Sequence, residues 1–287
     1  MDCILKNDTL DILRKAIGKE SYLFNSKILF SSLIYLKDGN LEDSYIIKKT
    51  QNTPKFLEDW IIYLTMRSAA RTFLTTGKMI RDEKDVNTYS NIEFYGYDDI
   101  ERLFYAQKTE NDVKSPKNVF TLSKSQSIRD IYDLKFFKEE FAVKHVMLND
   151  NDIKLPTENE EIMKYFDNYN IKLVNEKIGG VDDALKYIRM NINDYSPILC
   201  EIGPTTMMDY LNHNSNEDLD NRGENNNPLD FVLISAYTGY LTEDCKGPKF
   251  PSIKDLCRNL KLVHVSDPIP SENGSLTFYT FIKDDNI

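Results

Sequence analysis

Pro197-Ile-Leu-Cys-Glu-Ile-Gly-Pro-Thr-Thr206, Phe231-Val-Leu-Ile-Ser-Ala-Tyr-Thr-Gly239 and Leu260-Lys-Leu-Val-His-Val-Ser-Asp267 are three short apolar runs, each closing on small polar residues. Continuous apolar runs of this length are buried on both faces, as the strands of a mostly parallel sheet are. The chain is therefore expected to be α/β or α+β. A ligand site, if present, is expected beyond the carboxyl ends of these strands.

Working outward, Gly179-Gly180 turns the chain into a helix over 182–192 that feeds the Pro197 run, a β–α–β unit. Ser252 with Asp255 opens the helix before Leu260. Leu276-Thr-Phe-Tyr-Thr-Phe-Ile282 alternates faces and reads as an edge strand. Upstream, 119–122, 141–148 and 171–174 read as strands and 127–140 as a helix, and Thr157-Glu-Asn-Glu160 matches a capping box.

The N-terminal part is mixed. Asp8 caps a helix that Gly18 ends, 24–36 suits a helix or a pair of strands, and 44–50 reads as a short strand. Thr53-Pro54 opens what reads as the longest helix, through Leu57, Trp60, Ile61, Leu64, Met66, Phe73 and Leu74 to Gly77. That is about six turns, with the single tryptophan as a core anchor. A short helix is expected over 98–106. The organisation expected is a mixed region 1–107, a polar linker 108–118 and an α/β region 119–287. The last contains an exposed acidic, Asn-rich loop at 212–228.

Composition bounds the function. The 287 residues are 41% hydrophobic and 29% charged, ordinary for a globular chain with room for a sizeable core. The net charge of −10 and the want of a clustered basic face disfavour nucleic acid. No apolar run reaches the roughly 20 residues that span a bilayer. Met1-Asp-Cys-Ile-Leu-Lys6 lacks the basic start and apolar core of a signal peptide, so a reducing cytoplasm is expected. Cys3, Cys200, Cys245 and Cys257 make no metal spacing with the three histidines, and neither a metal nor a cofactor is expected.

The residues 198–206 are similar to the first motif of class I methyltransferases, in which an acid and a glycine-rich turn meet the methyl donor. Thr205 and Thr206 stand where that family has glycines. A more general constellation is Glu201, Thr205, Thr206, Thr238, His264 and Asp267, which gather at the strand ends if the three runs are parallel neighbours. A helix start at Thr205 offers free amides to an anion. His264 is the candidate general acid or base, oriented by Asp267 or Glu201. The competing reading of His264 is a hydrogen-bonded structural residue. Cys200 with His264 fails as a nucleophilic pair, because the thiol lies inside an apolar strand.

Two functions follow. One is an intracellular binding or regulatory protein that engages a basic partner protein through its acidic surface. The alternative is an α/β enzyme acting on a phosphate-bearing small molecule in the strand-end crevice.

Overall fold

The computed structural model describes residues 11–48, 50–82, 117–138, 142–149, 160–174, 176–192, 197–216 and 229–283. Among these residues twelve strands join in one sheet. They are β1 (Ile28–Leu36), β2 (Ser44–Ile47), β3 (Thr72–Thr76), β4 (Lys117–Ser123), β5 (Ala142–Leu148), β6 (Ile171–Leu173), β7 (Ile198–Glu201), β8 (Phe231–Gly239), β9 (Lys246–Lys249), β10 (Lys261–Val265), β11 (Ile269–Ser271) and β12 (Gly274–Ile282). The order is β10-β12-β8-β1-β7-β3-β4-β5-β6, with β2 and β11 paired to β1 and β12 and β9 paired to β2. From β8 to β6 every neighbouring pair is parallel. The fold is α/β, a large mostly parallel sheet flanked by helices.

The sheet draws on both sides of the expected linker, since β7 lies between β1 and β3. Lys117 and Asn118, the linker's last residues, already belong to β4. The rest of 108–118, the helix expected over 98–106, most of the capping box and residues 217–228 of the acidic loop lie outside the described residues. Residues 212–216 continue the Pro204–Asn216 helix instead of opening a loop.

The helix expected to run to Gly77 covers Leu57–Ala69. At Ala70 the backbone turns extended and β3 begins two residues later. Phe73 and Leu74 have the spacing of a helical face, but their neighbours are Thr72, Thr75 and Thr76, which suit a pleated surface. All five residues of β3 are buried between β7 and β4, whose backbone groups would otherwise lack partners. Trp60 is half-buried rather than a core anchor, and packs on Tyr63 with ring centroids 5.8 Å apart. Phe56 takes the buried place, edge-on to Tyr237 at 5.0 Å.

Two further expectations are corrected. The Leu276–Ile282 strand is not an edge: β12 pairs β8 and β10 antiparallel on its two sides. The Leu260 run forms the edge, with Leu262 and Val265 each 46% exposed. The helix expected over 127–140 is two short turns of helix, Ser125–Ile128 and Lys135–Lys138.

Each face of the sheet has its own core. Leu29, Phe73, Val119, Leu199 and Leu233 face one side with Leu13, Ile17, Leu23, Ile62 and Met66 from the N-terminal helices. Phe30, Leu74, Phe120, Cys200 and Ile234 face the other, under Leu185, Ile188 and Met207 from the helices Val181–Asn191 and Pro204–Asn216. This is the alternation of a strand, and each such side chain contributes about 1.5–3 kcal/mol by leaving water. Asp230 pins the start of the central strand. Its carboxylate, in a residue 8% exposed, accepts the backbone amides of Lys27 and Ile28 at 3.0 Å each.

A crevice at the end of β7 as candidate active site

The central strand changes its neighbour halfway along. On one side β1 pairs β8 continuously from Leu29 to Tyr35. On the other it pairs β7 in parallel over Ile28–Phe30 and β2 antiparallel over Ile34–Leu36. Between Phe30 and Ile34, about 13 Å of strand at the usual rise, β1 has no strand partner on that side among the described residues. Ser31, Ser32 and Leu33 are accordingly half-buried in the middle of a strand whose other residues are mostly buried. Among the described residues this leaves a gap in the pairing beyond the carboxyl end of β7, between it and β2. Open α/β sheets place ligands at such points.

At the end of β7 stand the candidate Glu201, its side chain 7% exposed, and, after Gly203, the first turn of the 13-residue helix Pro204–Asn216 with Thr205 and Thr206. Proline at the first position loses no hydrogen bond. The Met207 amide is the first to close the helix, onto Gly203 O at 3.0 Å. The amides of Thr205 and Thr206 therefore lie at the positive end of the helix, where an anion is stabilised. Thr75 and Thr76 from β3 adjoin, and the Thr75 hydroxyl donates to Glu201 O at 3.3 Å.

Glu201 is not a bare carboxylate. Arg67, 1% exposed on the Leu57–Ala69 helix, donates from Nε to Oε1 at 2.5 Å and from Nη2 to Oε2 at 3.1 Å. Its Nη2 also donates to Tyr63 Oη at 2.6 Å, and the guanidinium lies 4.4 Å from the Tyr63 ring centroid. This two-point grip is geometrically specific and holds the carboxylate at one orientation.

The other candidates lie elsewhere. Thr238 is two strands from β7 and beyond Tyr237, which is level with Tyr35, and its hydroxyl meets Ser275 Oγ at 3.0 Å. His264 is on β10, four strands from β7, or about 19 Å at the usual strand spacing. Its ring is half-buried, with Nε2 2.7 Å from Lys15 O at the end of the helix over 11–17. A side chain added at Gly18, whose φ is +82°, would come within 2.9 Å of that ring. Asp267 is exposed beyond the end of β10. His264 and Asp267 are thus not brought to Glu201. The three runs are not adjacent, because β1 separates β7 from β8 and β12 separates β8 from β10.

Sequence reading passed over Ser31, Ser32, Thr75, Thr76, Tyr63 and Arg67. Two serines interrupting the apolar run 28–36 were the signal for the first pair. Arg67 among helix-spaced apolar residues was the signal for the ion pair.

The cysteines are unsuited to nucleophilic work here. Burial pushes the Cys200 thiol up to about 12, and burial also raises Cys257. Burial acts upward on Cys245 too, but hydrogen bonds with Thr242, Thr50 and Thr53 leave its thiol below the ordinary value. Among the described residues no group of three or more His, Cys, Asp or Glu side chains is arranged to hold a metal. No helix there is long and apolar enough to cross a membrane.

No known family matches the chain by sequence, and no curated protein does. Solved structures do match in fold. A pyrimidine reductase-like protein from Corynebacterium diphtheriae is 11% identical, covers 94% of this chain and 98% of its own length, and superposes with a TM-score of 0.58. A diaminohydroxyphosphoribosylaminopyrimidine deaminase/5-amino-6-(5-phosphoribosylamino)uracil reductase from Thermotoga maritima is 13% identical over 90% of this chain, with a TM-score of 0.51. The chain spans 56% of that protein's length and 58% of the length of RibD from Acinetobacter baumannii, which is 12% identical with a TM-score of 0.49. At such identities the likeness is one of fold.

Proposed function

We propose that the chain is an α/β enzyme that acts on a phosphate-bearing small molecule in the crevice at the end of β7, with chemistry of the reductase type. The observation that carries this reading is the gap in the sheet at Ser31–Leu33, which opens polar positions of the central strand beside a helix start. The fold likeness to a pyrimidine reductase-like protein supports an enzyme over a regulatory protein. In this reading the amides of Thr205 and Thr206 bind the phosphate. The hydroxyls of the half-buried Ser31 and Ser32 meet the polar body of the molecule. Glu201, held by Arg67, is the fixed acceptor at the strand end.

A thermal unfolding screen tests the proposal with phosphorylated pyrimidine ribosides, including 5-amino-6-(5-phosphoribosylamino)uracil, each with and without reduced nicotinamide nucleotides as hydride donors. A ligand at 100 times its dissociation constant adds about 2.7 kcal/mol to the folded state. A transition shifted by a phosphorylated compound, followed by its reduction in an absorbance assay, is the expected result. A transition that none of them moves contradicts the proposal.

A further inference from the structure

We draw no further inference here: the strongest candidate, the partly exposed cluster of Tyr132, Tyr165 and Tyr169 against the helix Glu160–Asn168, beside the carboxylate of Glu161, is an aromatic surface patch for which nothing in the structure shows what covers it.

Discussion

Phe30 pairs with Cys200, and that is the last rung of the ladder between β1 and β7. Four residues further along β1, Ile34 faces Ile46 of an antiparallel neighbour. Over this interruption Ser31, Ser32 and Leu33 are half-buried, while the residues before them are buried. The candidate site is placed by this change of partner more than by any single reactive side chain.

The pin at the other end of β1 is expected to matter for stability. Asp230→Ala removes an acceptor from the buried amides of Lys27 and Ile28. Hydrogen bonds to a charged group contribute about 1.5–3 kcal/mol, and buried donors left unpaired add their desolvation cost. Denaturant titration should show a loss of about 2–3 kcal/mol at unchanged m-value. A loss below about 0.5 kcal/mol, within the usual range for surface substitutions, would show that the pin is not needed.

Aromatic truncations should separate the observed core from the one expected. Phe73 is fully buried on β3, and Phe73→Ala should cost about 3–5 kcal/mol. Trp60 is half-buried, and Trp60→Ala should cost about 1–2 kcal/mol, since less area returns to water. The reverse ranking in chemical denaturation would mean that the Leu57–Ala69 segment continues as helix through β3.

The reason that boundary was hard to read is physical. Ala69, Ala70, Phe73 and Leu74 satisfy a helical period, and a fully buried strand has no alternation to betray it. In contrast β7 and β8 were legible, as was the helix capped by Ser252, whose hydroxyl accepts the Asp255 amide at 3.3 Å. Their runs are continuous and end in Gly, Pro or Thr. Strand order was not legible, because β1 inserts between β7 and β8 from about 170 and 200 residues away, and local patterns carry no such pairing. That is why Glu201, Thr205 and Thr206 lie together at the end of β7 while His264 and Asp267 sit at the far edge of the sheet.

A pH effect should come from a histidine outside the candidate site. His145 lies flat on Phe120, ring centroids 4.2 Å apart, with Nε2 3.2 Å from Asn118 Oδ1. Burial, and then the charge of Lys172, lowers its pKa from 6.5 to about 4. The unfolded chain takes up this proton below pH 6.5 and the folded chain does not until about pH 4. Stability is therefore complete above 6.5 and falls across that window as pH falls, by up to about 3 kcal/mol from this group. Unfolding free energies of His145→Gln should lack this part of the slope. An identical slope in the variant would contradict the assignment.

The central claim, that the sheet opens at Ser31–Leu33 onto a ligand site, is tested most directly by labelling. Ser32→Cys, combined with Cys3→Ser, places one new thiol in the crevice while Cys200, Cys245 and Cys257 remain buried. Its rate of reaction with a maleimide is measured with and without 5-amino-6-(5-phosphoribosylamino)uracil. The account predicts that this thiol reacts far faster than the three native cysteines and that the ligand slows it. A thiol at position 32 as inert as the buried ones, or one whose rate no phosphorylated compound changes, would contradict it.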